Sequence, residues 1–397
     1  MPATLSLSDP SLLIIFTAPA CRQDGGLLLD RKFVDGMRLY AARWSGRTGC
    51  LLPESPRPQP FGAVFDPADL PFQVRLHPAG HVLTAADLED YDLVLCSGDS
   101  DQHLHLAEIG RKAGRKILFT IEYIPETRRQ IVMLDRARSL PRKLKSILHV
   151  QRHENRRRRA FARAAGIQAN GYPADAHYRP LNGNTLLYLD NRIHAGLPAT
   201  PPEMAARRDR LVAGGPLRLL HSGRLEPMKG SQDLVPVAER LRDRGVDFVL
   251  DIFGSGSLEA GIREGIARAG LQDRVRLHGV ADFETGLVPF ARTRSDIYLS
   301  CHRQSDPSCT YLESMGCGLA VAGYGNRMWK ALSRESRSGW VAPLGDWKAL
   351  ADLLAGLDKD RDAIAESCDA AWRFAQAHLF EAEFDKRLDH LRASGRG

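Results

Sequence analysis

The sequence of 397 residues lacks the cysteine pairs that form a disulfide framework or a zinc site. Its seven cysteines are an odd number, are scattered along the chain and include no Cys-x-x-Cys motif. Long apolar runs are also missing: residues 12–16 form only a short one, whereas a membrane-spanning helix needs roughly 18 apolar residues. We therefore expect a reduced, cytoplasmic protein without a signal peptide or a spanning segment.

The positive charge is concentrated in one segment. Thirteen Lys and Arg residues and only two acids lie between Arg128 and Arg163, although the whole chain has a net charge of only +7. A helix at 142–163 with an apolar stripe over residues 144–150 is compatible with binding to anionic lipid, with binding of an anionic glycan, or with a solvated face of a packed helix. Interleaved aromatic residues and nucleic-acid motifs are missing, so nucleic acid is not an expected partner.

Strand-like apolar runs alternate with helical patterns from about residue 215 onward, which predicts a parallel, doubly wound α/β sheet. The first half of the chain shows the same rhythm more loosely. Three prolines within residues 198–202 indicate a domain boundary. We expect two Rossmann-like domains, residues 1–200 and 201–375, and a C-terminal helix at 376–397 that packs back on the first domain.

The individual strands follow from the positions of the apolar runs. In the first half they are predicted near 12–17, 73–77, 92–97, 117–121 and 167–170, and in the second half at 217–222, 247–253, 275–278, 297–300 and 319–323. Seven prolines between Pro53 and Pro78 predict an irregular loop rather than a long regular element.

Two loops that follow predicted strands in the second half carry groups suited to a nucleoside diphosphate. The first contains Gly223, Arg224 and Lys229. A guanidinium and an ammonium group from one loop can neutralise a diphosphate as it leaves with the nucleotide. The second contains Gly254 and Ser255, whose small size permits close approach of the backbone to a ligand.

A third loop, residues 305–310, leads into a helix whose N-terminal amides would face an anion. Its candidate donor-binding residues are Asp306, Ser308, Cys309 and Thr310. Within the helix, Glu313 is placed to accept hydrogen bonds from vicinal ribose hydroxyls. Together the three loops outline a site for a nucleoside diphosphate.

These motifs resemble those of the retaining glycosyltransferases of family four, also called glycosyl transferases group 1. That family has the GT-B architecture, in which two Rossmann-like domains face a cleft. The resemblance is carried by GRLEPMKG at 223–230, FGSGS at 253–257, RVRLHG at 274–279 and YLESMGCGLAVAGYGN at 311–326. It implies that Arg224 and Lys229 grip the donor diphosphate and that Glu313 binds the ribose.

The sequence departs from the family's Glu-x7-Glu pattern at the first glutamate. Ser305 stands at that position, and Asp306 follows it. In the family the first glutamate lies near the transferred sugar. Either Asp306 replaces this glutamate after a small shift of the loop, or the sugar is recognised in a different way.

The resemblance also implies that the first domain holds the acceptor and supplies a glycine-rich loop to the donor phosphates. Gly25 and Gly26, after the first predicted strand, match that loop. Glu122 follows the strand at 117–121, where relatives carry a histidine or an acid near the sugar. We expect Glu122, ahead of His103, to activate the acceptor or bind the sugar; a helix cap or a salt bridge is the alternative.

The sequence contains one further motif of interest, Asp99-Ser100-Asp101. It resembles the metal-binding Asp-x-Asp of a different glycosyltransferase architecture, but it lies in the wrong domain for this fold. We expect no metal, and no cofactor other than a UDP- or GDP-type nucleotide sugar as co-substrate.

The predicted function is transfer of a sugar, with retention, to a glycan or lipid-linked acceptor in surface polysaccharide or glycoconjugate synthesis. The protein would work in the cytoplasm, with peripheral attachment to the inner face of the cell membrane through the basic helix. A GT-B sugar-nucleotide epimerase and a non-catalytic nucleotide-binding GT-B protein are the alternatives.

Overall fold

The computed structural model describes residues 8–23, 25–55, 62–134, 139–305 and 307–396. Within them, two parallel sheets with helices around them form an α/β fold, as predicted. The chain leaves the first sheet at Tyr188 and enters the second at Leu217.

The described residues of the first half form ten strands. They are β1 (Leu12–Ile15), β2 (Cys21–Gln23), β3 (Gly26–Asp30), β4 (Thr48–Pro53), β5 (Gly62–Phe65), β6 (Gln73–His77), β7 (Leu93–Ser97), β8 (Lys116–Ile121), β9 (Gly166–Asn170) and β10 (Thr185–Tyr188). Seven of them form a parallel sheet in the order β10-β9-β8-β7-β1-β4-β6, and β2, β3 and β5 form a small antiparallel sheet.

Five helices accompany these strands. They are α1 (Arg31–Arg43), α2 (Leu106–Ala113), α3 (Pro125–Leu134), α4 (Leu140–Phe161) and α5 (Tyr172–Tyr178). Successive side chains of a strand point to opposite faces, so Leu12 and Ile14 enter one core while Leu13 and Ile15 enter another. Burial on both faces explains why the central strands are continuous apolar runs.

In the second half, the residues that the structure describes form six strands in one parallel sheet, ordered β13-β12-β11-β14-β15-β16. The strands are β11 (Leu217–Ser222), β12 (Phe248–Phe253), β13 (Val275–Gly279), β14 (Ile297–Ser300), β15 (Ala320–Tyr324) and β16 (Gly339–Ala342). Each predicted strand of this half is present. The reversal of strand order at β11 and β14 makes the sheet doubly wound, as predicted.

The helices of the second half are α6 (Pro201–Ala213), α7 (Leu234–Asp243), α8 (Glu259–Arg268), α9 (Val288–Arg294), α10 (Cys309–Gly316), α11 (Arg327–Ser336), α12 (Trp347–Leu357), α13 (Arg361–Ala377) and α14 (Phe380–Arg396). The prolines at the expected boundary begin α6, because Pro201 and Pro202 occupy its first turn after the Thr200 cap. The last helix, α14, packs Phe384, Leu388 and Leu391 into the core beneath the first sheet.

Candidate active site

The candidate site lies where the carboxyl ends of the two sheets face each other, and several polar contacts between described residues cross between the halves there. Ser305 Oγ donates a hydrogen bond to Glu126 Oε1 of α3 at 3.3 Å. The Cys309 thiol lies 3.9 Å from Asp190 Oδ2, just beyond β10. Arg327 Nε of α11 forms an ion pair of 2.6 Å with Glu126 Oε2. The loop before α10 therefore borders the cleft.

The first two predicted loops of the second domain pack against each other through their backbones. A Cβ atom on Gly254 would lie only 1.9 Å from the Gly223 carbonyl oxygen, and φ at Gly254 is +126°. Gly230, which ends the turn with Lys229, has φ +68°, and a Cβ there would lie 1.8 Å from the Cys301 carbonyl oxygen. Glycine is required at both positions by the close approach of two backbones.

A pocket of about 260 Å³ opens between these two loops. It is lined by Ser222, Gly223, Arg224, Phe253, Gly254, Ser255, Val280, Ala281 and Leu287. The structure thus brings together four of the predicted donor-binding residues. Arg224 is exposed, and its guanidinium contacts Met228 Sδ at 3.9 Å.

Lys229 is half-buried at the end of the short turn Pro227–Lys229. The imidazole of His221, at the end of β11, lies close enough for the two charges to interact. Burial, with a smaller contribution from Lys229, lowers the pKa of His221 to about 4. Its Nδ1 bonds the Leu299 carbonyl at 3.0 Å. A neutral imidazole therefore lies beside the Lys229 loop.

Glu313 is 5% exposed and is held by an arginine that the sequence analysis did not identify. Arg192 donates from Nε to Oε1 at 2.7 Å and from Nη2 to Oε2 at 3.0 Å. The Arg192 guanidinium also lies over the Phe283 ring, 3.8 Å from its centroid. Each carboxylate oxygen keeps a second lone pair for another donor. No sequence pattern marks Arg192, which lies in the connection after β10.

The start of α10 contains the remaining candidates of the third loop. Ser308 is the N-cap residue, and its hydroxyl lies 2.8 Å from Thr310 Oγ1. Burial raises the pKa of the Cys309 thiol, and the nearby carboxylates of Asp190, Glu313 and Glu122 raise it further. Acidic groups of both domains thus converge on this helix start. Asp306 lies outside the described residues.

A cavity of about 490 Å³ lies in the first domain beside Glu122, at the carboxyl end of β8. Its polar lining comprises Thr17, Lys32, Ser97, Asp99, Thr120, Glu122, Asp190 and Arg387, and its remaining lining is mainly apolar, with Phe16, Phe33, Met37 and Phe384 among it. Asp190 and Arg387 were not predicted. Desolvation raises the pKa of Asp190. The lining of the cavity therefore combines apolar residues with acidic ones.

Asp99 fixes the backbone that carries Glu122. Its carboxylate accepts hydrogen bonds from the amides of Glu122 (2.9 Å) and Tyr123 (3.0 Å), and from Arg128 Nη2 at 2.6 Å. Burial raises the pKa of Asp99 despite the arginine. The first acid of the Asp-x-Asp motif thus forms its hydrogen bonds within the protein. These contacts were not predicted from the sequence, because they depend on the pairing of β7 with β8.

The other first-domain candidates lie apart from these contacts. Gly25 has φ +77° and is exposed in the turn between β2 and β3, and Gly26 pairs with Gln23. Their contact with donor phosphates stays a prediction. His103 is 5% exposed, and burial lowers its pKa to about 4, which fits a structural histidine.

The basic helix α4 exposes an apolar face as well as its charges. Leu140, Leu144 and Leu148, spaced four residues apart, are 77%, 62% and 61% exposed. Arg157, in contrast, is 1% exposed and binds the Gly98 carbonyl and Glu154. Within the described residues, no helix has the length and apolar character needed to cross a membrane.

The sequence of this chain is similar to sequences of known glycosyltransferases. Residues 204–373 match the family model described as glycosyl transferases group 1. The amylovoran biosynthesis glycosyltransferase AmsK of Erwinia amylovora is 31% identical over 36% of this chain and 36% of its own length. The 2-deoxystreptamine N-acetyl-D-glucosaminyltransferase of Streptomyces fradiae is 29% identical over 44% of this chain and 43% of its own. These alignments thus span less than half of the length of the curated relatives.

Solved structures resemble the chain over nearly its whole length. HepE of Anabaena in complex with UDP superposes with a TM-score of 0.62 at 14% identity, covering 97% of this chain and 100% of that one. The sucrose-phosphate synthase of Thermosynechococcus elongatus gives 0.63 at 15% identity, covering 97% and 98%. The chain therefore has the GT-B fold, and its residues 204–373 are similar to the glycosyl transferases group 1 family.

Proposed function

We propose that this protein is a retaining glycosyltransferase that moves a hexose-type sugar from a nucleotide-diphosphate donor to a glycan or lipid-linked acceptor. The observation that carries the proposal is the meeting of Gly223, Arg224, Gly254 and Ser255 around one pocket in the second domain. This pocket lies at the carboxyl ends of parallel strands at a reversal of strand order, where open α/β sheets bind ligands.

The donor diphosphate is neutralised by Arg224 and Lys229 together with the α10 amides at Ser308, Cys309 and Thr310, without a metal at this position. Glu313, held in place by Arg192, accepts hydrogen bonds from the ribose hydroxyls. UDP is the favoured nucleotide, because structures of similar fold bind it: HepE with UDP-glucose, and a pneumococcal O-GlcNAc transferase with UDP and GlcNAc.

The transferred sugar lies between the donor loops and the cavity beside Glu122. Ser305 occupies the position of the family's first glutamate, and its hydroxyl donates to Glu126. Glu126 therefore brings a carboxylate from the first domain to the place where the second domain lacks one. In this assignment Glu122 binds the acceptor hydroxyl or the sugar, and Asp306 retains its predicted part in donor binding.

In the reaction, the bond between the anomeric carbon and the phosphate oxygen breaks, and the acceptor oxygen forms its bond on the same face. The acceptor proton passes to the departing phosphate oxygen, so no general base is required. Arg224 and Lys229 stabilise the negative charge that develops on the diphosphate.

Incubation with UDP-, GDP- and ADP-sugars tests the proposal, with nucleotide diphosphate release and sugar transfer as readouts. We expect release and transfer with one nucleotide class. Conversion of the donor to its epimer would instead identify an epimerase, and binding without turnover would identify a non-catalytic protein. Detection of a β-linked product from an α-linked donor would show that the enzyme inverts the anomeric configuration. That result would overturn retention and leave the rest of the proposal intact.

The α4 face contacts an anionic membrane surface in this proposal, which places the enzyme where a lipid-linked acceptor is presented. The exposed leucines can enter the interface while Arg156, Arg158 and Arg159, all exposed, meet lipid phosphates. The relatives in amylovoran and colanic acid biosynthesis support surface polysaccharide as the product class.

A further inference from the structure

Three potential metal ligands from two elements of the first domain meet beside α4. His149 and His153 are one turn apart on this helix, so they lie on the same face. Their rings are 3.9 Å apart between centroids. Asp101, from the loop after β7, contributes a carboxylate, and the ligand atoms of all three residues lie within 4.8 Å of one another.

The contact between Asp101 and His153 is close but is not a well-formed hydrogen bond. His153 Nδ1 lies 2.9 Å from Asp101 Oδ2, yet this buried nitrogen has no hydrogen-bond partner of acceptable geometry. An imidazole nitrogen and a carboxylate oxygen that each bind one tetrahedral ion at roughly 2.0–2.2 Å lie roughly 3.3–3.6 Å apart, so this pair is already close to the separation that a shared ion requires.

We propose that Asp101, His149 and His153 form a binding site for one divalent transition-metal ion of the zinc type. Two imidazoles and one carboxylate are a common ligand set for such ions. Ligands of one ion lie within roughly 4.4 Å of each other, close to the 4.8 Å within which the three ligand atoms already lie. A solvent molecule would complete a four-coordinate site.

The charges around the site are compatible with a cation. Arg157, the nearest buried arginine on this helix, is paired with Glu154 at 2.8 Å, and Arg156 is exposed to solvent.

A bound ion would tie the loop after β7 to α4. The same loop contains Asp99, which holds the amides of Glu122 and Tyr123 at the cleft. The three ligands do not belong to the lining of the cleft cavity or of the donor pocket. The ion therefore has a stabilising role in this proposal and takes no part in the transfer step.

The test is titration of the untagged full chain with Zn²⁺, followed by calorimetry and thermal unfolding, and with Co²⁺, followed by visible absorption. We expect one ion per chain, a Zn²⁺-dependent rise in Tm, and a Co²⁺ spectrum without a thiolate charge-transfer band. His149→Ala and Asp101→Asn should each weaken binding at least about tenfold. Both variants are expected to fold, because His149 is exposed and Asp101 is half-exposed.

His81→Ala is the matched control, because His81 forms a similar pair with Asp87 at 3.1 Å but has no third ligand among the described residues. This variant should bind Zn²⁺ like the natural chain. Absence of saturable binding, binding that survives His149→Ala, or a thiolate band in the Co²⁺ spectrum would overturn the proposal.

Discussion

The Ser305 hydroxyl donates a hydrogen bond of 3.3 Å to Glu126, and this contact joins the loop before α10 to α3 of the other domain. The Arg327 amide in turn donates to Ser305 Oγ at 3.3 Å, and the Arg327 side chain pairs with Glu126. A serine in the second domain is therefore coupled to a carboxylate supplied by the first.

Replacing Glu126 with glutamine should lower the rate of transfer more than donor affinity. The amide keeps the size of the side chain but loses the charge near the proposed sugar position, so we expect kcat to fall about 10- to 100-fold while the Kd for UDP changes little. Steady-state kinetics and UDP titration measure both values. Glu108→Gln, which removes an ion pair with Arg111 in the same domain, should leave both unchanged. An equal loss of kcat in both variants would show that Glu126 has no specific part in the site.

Glu313→Gln should reduce recognition of the ribose. The natural chain should bind UDP more tightly than 2′-deoxy-UDP, by about tenfold for one lost hydrogen bond to a charged group, and the ratio should approach one in the variant. Calorimetry with both nucleotides gives the ratio. Glu264→Gln, at an exposed site on α8, is the control. An unchanged ratio in Glu313→Gln would show that the ribose lies elsewhere.

The buried histidines predict loss of stability in acid. Burial lowers the pKa of His221 and of His103 to about 4 in the folded chain, whereas an unfolded histidine titrates near 6.5. The unfolded state thus binds more protons between these values, so stability is fully present above pH 6.5 and is lost as the pH falls toward 4.

His221→Asn removes one of these groups but keeps a donor for the Leu299 carbonyl. Urea unfolding between pH 7.5 and 4.5 should show a loss of unfolding free energy that is roughly 2 kcal/mol smaller in this variant. His81→Asn, at a more exposed histidine, should retain the full loss. Identical pH profiles for His221→Asn and the natural chain would contradict the prediction.

The α4 surface predicts binding to anionic vesicles. Changing Arg156, Arg158 and Arg159 to glutamine should weaken cosedimentation with phosphatidylglycerol vesicles by about 3 kcal/mol at low salt, or roughly a hundredfold. Arg157 must be retained because it is buried against Glu154. Leu144→Ser should also weaken binding, whereas Val82→Ser, at another exposed apolar residue, should not. Vesicle binding that is absent, or equal in all variants, would exclude a membrane role for α4.

Five strands of the second sheet were predictable, because most of them are buried apolar runs that end in glycine or polar residues; β16 (Gly339–Ala342), a partly exposed strand at the edge of the sheet, was not predicted. The first domain was harder to predict. Strand β4 was missed because its sequence TGCLLP contains a glycine and runs into the proline-rich stretch, and β10 because its sequence TLLY offers only a short apolar run directly after Asn182, Gly183 and Asn184. The predicted irregular loop from Pro53 to Pro78 also contains β5, which pairs with β3.

The loops of the proposed donor site could be selected from the sequence because glycines and charges lie close together along the chain. The residues that contact the site from the other domain could not be identified in this way. Arg192 meets Glu313 from 121 residues away, and Glu126 meets Ser305 from 179 residues away. Such contacts depend on how the two domains pack, which no local pattern encodes. Arg157, one of four consecutive arginines, is buried for the same reason.

Calorimetric titration with UDP shows whether Arg224 and Lys229 hold the diphosphate of a nucleotide donor. Each charge-assisted contact contributes about 1.5–3 kcal/mol, so Arg224→Ala and Lys229→Ala should each weaken binding roughly 10- to 100-fold. Arg276→Ala, at an exposed residue of β13 in the same domain, should bind like the natural chain. If UDP and GDP both bind the two variants as tightly as the natural chain, the proposed donor site is wrong.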